Sequence, residues 1–158
     1  MFNSVIAYSG LVWIVLWLSA CTMQQSRSEF GLIDVERAQA QLELGLAYLE
    51  QERLTLAQQH LLKVLDYVDF RTAEGSQAHY GLALLHLRSG NEQESEDHFL
   101  QALNSETPYP DAENGLGVLR CRQGRVDEAA LLFKKAIDNP LYSTPEVAEK
   151  NSRACANQ

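Results

Sequence analysis

The sequence predicts an all-α protein built as a stack of antiparallel helix pairs, and three observations carry that prediction. Small residues recur at fixed distances from a larger apolar residue. Apolar side chains fall at three- and four-residue steps, the period of one helix face. Prolines stand where one helix pair would hand over to the next.

The composition agrees with one globular domain. Of 158 residues, 46% are hydrophobic and 22% charged, far from the profile of disorder. Thirteen basic residues stand against 21 acidic ones, for a net charge of −8. With no basic stripe to neutralise phosphates, nucleic acid is not an expected partner. The acidic run "NEQESED" (Asn91–Asp97) lacks the glycine turn and oxygen-ligand spacing of a calcium loop, so it reads as a solvated helix face.

The first element is an apolar run. "VIAYSGLVWIVLWLSAC" has no charge from Val5 to Ala20, and its length falls short of the ~20 residues of a membrane-spanning helix. It fits the core of a secretory signal. "LSAC", ending at Cys21, resembles the bacterial lipobox, with small side chains beside the scissile bond and a thiol for the lipid. Met1–Gly10 contains no Lys or Arg, which keeps an uncleaved anchor or an ordinary signal as alternatives. The expected organisation is a signal peptide at 1–20, a polar linker at 21–33 that starts at lipidated Cys21, and a repeat domain at 34–158. Acyl chains at about 0.8 kcal/mol per buried methylene would anchor the protein. Thr22 is not the Asp of the enteric-type retention rule, so resemblance to that rule implies the periplasmic face of the outer membrane.

The repeats come next. In "ENGLGVLRCRQGRVDEAALLFKKAI" the pattern is Leu116-Gly117, Gly124, Ala129, Phe133 and Ala136. In "AHYGLALLHLRSGNEQESEDHFLQAL" the same offsets give Leu82-Ala83, Gly90, Ser95, Phe99 and Ala102, so that one constant shift carries Phe99 onto Phe133 and every other member onto its counterpart. In "LELGLAYLEQERLTLAQQHLLKVL" they give Leu44-Gly45, Tyr48, Ala57, Leu61 and Val64. The shift from Leu61 to Phe99 is longer than that from Phe99 to Phe133, because the connector "DYVDFRTAEG" holds four extra residues. Small residues let two helices approach, and Leu61, Phe99 or Phe133 fills the space between them. Gly90 and Gly124 suit the turn between helices; the first copy has Glu52 there and must use a less relaxed turn. Pro108, Pro110, Pro140 and Pro145 punctuate the ends of the second and third copies.

This pattern resembles the tetratricopeptide repeat (TPR). It implies an α-α superhelix of three pairs at about 38–71, 76–109 and 110–143, with a partial fourth at 146–158. A single repeat cannot cover its own apolar face, so stacking creates the core. The tail "TPEVAEKNSRACANQ" starts a first helix that serves as a cap or marks a shortened gene product.

In such a stack, the fifth, ninth and twelfth positions of each repeat face the concave side. The resemblance places Leu42, Leu46 and Leu49, then Tyr80, Leu84 and Leu87, then Asn114, Val118 and Cys121 there. These mainly apolar residues, without the Lys and Asn of a carboxylate clamp, imply a groove for an apolar helix or strand. Tyr80 would be its aromatic anchor and Asn114 its bond to the ligand backbone. The competing reading is that a short stack twists little and packs this surface internally.

Cys121 and Cys155 fall at nearby positions on adjacent first helices, which in an oxidising compartment gives either a disulfide or two free thiols. Two cysteines without an adjacent histidine do not make a zinc site. His79 and His86 lie seven apart on one helix face, where His86 takes the place of Tyr48; a packed histidine is the ordinary reading there, ahead of a metal ligand. No nucleophile motif or phosphate loop occurs, and no enzyme activity, cofactor, metal or small-molecule substrate is expected.

Finer details narrow the resemblance. A cysteine before "QGRVDEA" (Cys121, then Gln123–Ala129), the connector "DNPLY" (Asp138–Tyr142) with Pro145, and Asn151 with Cys155 are similar to the type IV pilus biogenesis lipoproteins of the PilF/PilW kind, the secretin pilotins. That resemblance implies an outer-membrane lipoprotein that brings secretin subunits to the membrane and promotes their assembly, or stabilises the pilus. Those proteins have about six repeats, whereas this chain stops in its fourth, with Arg153 where a small residue is expected. A generic lipoprotein scaffold for envelope or peptidoglycan machinery, or a truncated paralogue of reduced function, is the alternative.

Overall fold

The computed structural model describes residues 32–105 and 107–157. The signal segment, Cys21 and the linker as far as residue 31 lie outside the described residues. Residues 32 and 33, read as linker, are helical. The chain divides into two units, Met1–Glu36 and Arg37–Gln158. In the first, the described residues 32–36 are helical. The second holds the repeats.

The described residues form seven helices and no strand, the all-α class that the repeat pattern predicts. Helix α1 covers residues 32–50. It is followed by α2 (Leu54–Tyr67), α3 (Ala73–Arg88), α4 (Glu92–Leu103), α5 (Pro110–Arg122), α6 (Val126–Asp138) and α7 (Pro145–Ala156). Pro110 and Pro145 open α5 and α7 in the first turn, where a missing N–H costs nothing. The extra residues between α2 and α3 make a turn that starts α3, with the Thr72 hydroxyl accepting from the Gly75 N–H at 3.1 Å.

The second helix of each pair buries the same three positions. These are Ala57, Leu61 and Val64 in α2, Ser95, Phe99 and Ala102 in α4, and Ala129, Phe133 and Ala136 in α6. The steps of four and three put each triplet on one face. The large central member meets glycines on its neighbours. A Cβ on Gly45 of α1 would lie 2.8 Å from Leu61, and one on Gly81 of α3 would lie 3.0 Å from the same side chain. Likewise a Cβ on Gly115 would lie 2.5 Å from Phe99, and one on Gly117 would lie 2.7 Å from Phe133. Each large residue is therefore a peg seated against helix backbone.

The three turns within pairs share one hydrogen-bond pattern. Arg53, Asn91 and Arg125 each donate a backbone N–H to the carbonyl five residues back, on Tyr48, His86 and Arg120, at 2.9 Å in every case. This is the Schellman closure, and it needs a residue with positive φ just before the donor. Gly90 (φ 79°) and Gly124 (φ 74°) supply it, and in the first pair Glu52 adopts φ 58°. The less relaxed turn expected at Glu52 is present.

Repeats two and three are also joined by charge. Arg120 of α5 is buried and bonds to Glu96 of α4; it also lies 3.6 Å from Glu128 of α6. Arg125 reaches both carboxylates, at 2.6 Å from Glu128 and 3.6 Å from Glu96. One residue of the acidic run is therefore not solvated. Glu96 turns inward to meet Arg120, while Glu92, Gln93, Glu94 and Asp97 stay exposed.

Three stability outcomes follow from this packing. Glu52→Gly is expected to raise stability by about 1 kcal/mol, and Gly124→Ala to lower it by a similar amount, because a Cβ at Gly124 meets no neighbour and only the backbone conformation is at stake. Phe133→Ala is expected to cost about 3–5 kcal/mol through the cavity it leaves. Thermal and urea unfolding followed by circular dichroism measure all three.

Candidate protein-binding site

The inner positions of the first helices are more deeply packed than a ligand groove requires. Leu42 and Leu49 are 5% and 3% exposed. Leu42 shares a core cluster with Leu61, Ala78 and Leu82, and Leu49 shares one with Ala57 and Leu85. The cause is the close approach that Gly45 and Gly81 allow, which brings α3 over the Leu42 and Leu49 side of α1. Those two leucines leave the predicted groove and join the core. Cys121 is buried as well, while Leu46, Tyr80, Leu84, Leu87, Asn114 and Val118 are half-buried.

Tyr80 is a packing residue more than an anchor. Its ring lies 6.2 Å from Phe99 and 5.3 Å from Tyr109. Burial and the nearby Asp111 push its hydroxyl up to about 12, and burial raises that of Tyr109 too. Asn114 is engaged within the chain. Its Oδ1 accepts from Asn151 Nδ2 at 3.0 Å, tying α5 to α7, so it has another task than the expected bond to a ligand backbone.

Three of the half-buried inner positions form one row. Leu46, Leu84 and Val118 hold the same position in successive repeats, each half-buried. Glu50, Arg88 and Arg122 follow four residues later in each case, and all three are exposed or partly so. A partial apolar strip with charges at its margin suits an amphipathic segment, with apolar contacts for affinity and charges for orientation.

The end of the stack is closed by covalent and polar ties. The sulfurs of Cys121 and Cys155 are bonded, with the Cα atoms 5.7 Å apart. Their sequence separation of 34 equals the shift that carries Phe99 onto Phe133. Arg153, which stands where a small residue is expected, points outward with its side chain 69% exposed and pairs with Glu149 at 3.4 Å. A cleft beside the disulfide is lined by Val118, Arg122, Phe133, Asn151 and Ala154.

The histidines pack between helices. His79 and His86 of α3 face His98 of α4, with ring centroids 5.2 and 5.4 Å apart. The sequence pattern singles out the first two and not His98, although His98 holds in the second repeat the place that His60 holds in the first. Among the described residues, no group of three or more His, Cys, Asp or Glu side chains is placed to hold a metal ion. No described helix is long and apolar enough to cross a membrane.

Residues 42–113 match the tetratricopeptide repeat family model. The match takes in the first repeat from Leu42, the whole of the second and the opening of the third. A protein of Haemophilus influenzae described as uncharacterized is 27% identical over 139 residues, covering 87% of this chain and 73% of that protein. No solved structure matches. Tetratricopeptide repeats are in general scaffolds for binding other proteins, which supports that role for the helix stack.

Cross-linking of α7 has a measurable weight. Closing a loop of this length contributes about 3–4 kcal/mol in the chain-entropy picture. Cys155→Ser is therefore expected to lower stability by about that amount and to make α7 amides exchange faster than those of α3, as read by hydrogen exchange and mass spectrometry.

Proposed function

We propose that this protein is a lipid-anchored, protein-binding assembly factor at the periplasmic face of the outer membrane, serving the secretin of a type IV pilus. In this reading, Cys21 carries the lipid and the repeats hold a segment of the secretin subunit, or of another pilus assembly protein, until subunits assemble. The mechanism is non-enzymatic: the anchor sets location, the linker gives reach, and the row of Leu46, Leu84 and Val118 gives an apolar contact.

The observation that carries the reading is where the pilotin-like residues lie. Cys121 and Cys155 are bonded, Asn151 meets Asn114, and Gln123–Arg125 form the turn whose Arg125 pairs with Glu128. The details that distinguish this sequence from a generic repeat thus cluster where the third repeat meets the next helix. In this reading, that joint is the part of the chain that carries the resemblance to the pilotins.

Two measurements test the proposal. Deletion of the gene is expected to remove secretin multimers from the outer membrane, and multimers that persist with normal pili would leave a scaffold for other envelope machinery as the better reading. Radiolabelled palmitate is expected to enter the wild-type protein and not Cys21→Ser. Independently, Val118→Asp is expected to weaken secretin binding by about tenfold while the fold is retained, since a half-buried charge on the apolar row disfavours the complex more than the free protein.

A further inference from the structure

The first two repeats fill the same three positions between their helices with different chemistry. In the first repeat, His60 of α2 faces Gln41 and Tyr48 of α1. Its Nδ1 lies 2.7 Å from Gln41 Oε1, and its ring stacks on Tyr48 at 5.3 Å. In the second, the equivalent positions are 79, 86 and 98, and all three are histidines. His98 Nδ1 lies 3.0 Å from His79 Nδ1, and its ring stacks on His86 at 5.4 Å with an interplanar angle of 14°.

The two arrangements respond differently to a proton. An amide oxygen accepts from His60 Nδ1–H whether the ring is neutral or charged. Two Nδ1 atoms 3.0 Å apart form a hydrogen bond only when one carries a proton and the other presents a lone pair. Protonating both turns the contact into two donors facing each other, with like charges added. His79 is buried, and the Nδ1 of His86 is buried with no hydrogen-bond partner. The cluster therefore has little means of absorbing added charge.

We propose that the helix pair α3–α4 is a pH-responsive element, in which protonation of the His79–His98 pair loosens the second repeat while the first stays closed. The groups around the pair are few. His79 and His86 face His98 from α3, and Asp97 acts on it from its own helix. The connector before α3 presents Phe70, whose ring lies 6.3 Å from His79. From α5, Arg120 is committed to Glu96. Asp97 favours the charged form of His98, but burial and the two histidines outweigh it, and His98 is held down at about 4. Burial lowers His79 as well.

The sign is set by these depressed values. The histidines favour folding fully above their ordinary value of 6.5, and the contribution is lost as pH falls from there through about 4. For His98 alone the folded-to-unfolded ratio is expected to fall by about tenfold by pH 5, allowing for partial exposure to solvent.

The test compares the full protein with His79→Gln, which copies the Gln41 arrangement into the second repeat. Between pH 7.5 and pH 5, protection against hydrogen exchange, taken relative to the intrinsic rate at each pH, is expected to fall about tenfold more in α3 and α4 of the wild type than in α1 and α2. In His79→Gln that difference should largely vanish. Equal loss of protection in the two repeats, or an unchanged difference in the variant, would overturn the proposal. Should the variant fail to fold, an NMR titration of the wild-type histidines decides the matter. His98 still neutral at pH 5 supports the proposal, and titration at its ordinary value sinks it.

Discussion

The structure depends on large apolar pegs seated against helix backbone. Leu61, Phe99 and Phe133 each rise from the second helix of a pair and meet glycine on the neighbouring first helices, so close that a single added carbon would fall inside contact distance. This contact fixes the spacing between helices and the order in which they stack. It also fixes the fate of the side chains around it. Once Gly45 and Gly81 bring α1 and α3 together over Leu61, Leu42 and Leu49 are covered and the inner surface narrows to a single row. The peg that makes the stack stable therefore consumes much of the surface that a longer, more open superhelix would offer.

Around that constant frame the polar filling varies from repeat to repeat. The three positions between the helices hold Gln41, Tyr48 and His60 in the first repeat and His79, His86 and His98 in the second. In the third they hold Glu113, Arg120 and Leu132. A buried guanidinium cannot remain unpaired, and Arg120 finds Glu96 in the preceding repeat. The same slot that is self-contained in the first two repeats thus becomes a tie between the second and third. Interactions that differ in charge and reach distinguish neighbouring hairpins whose backbones follow one plan.

The frame was legible in the sequence because packing of small against large residues is a local, periodic signal. The buried triplets, the glycine turns and the unfavourable turn at Glu52 all follow from spacing alone. The surface was less legible. Exposure at Leu42 or Tyr80 depends on how far neighbouring helices tilt and approach, which no single repeat encodes. Asn114 reads as a free hydrogen-bonding group until Asn151, 37 residues away, is brought beside it. His98 lay hidden in an acidic helix, and only comparison at the repeat spacing marks it as the partner of His79 and His86.

The last helix shows what the frame cannot do by itself. An isolated helix as short as α7 is marginal in water, and this one buries only Ala148 and Cys155. The Phe133 peg of α6 shares a core cluster with its Cys155. Besides that contact it has a covalent bond to Cys121, a hydrogen bond from the Asn151 amide to Asn114, and Ala148 clustered with Ala136 of α6 and buried Tyr142 of the connector. The disulfide and the hydrogen bond add fixed geometry to that apolar packing, since each joins a residue of α7 to one chosen neighbour. A helix held this way leaves most of its surface exposed, including Val147. Its attachment therefore rests on the bond between two sulfurs as well as on burial, and among the described residues no other helix is tied to a neighbour by a disulfide.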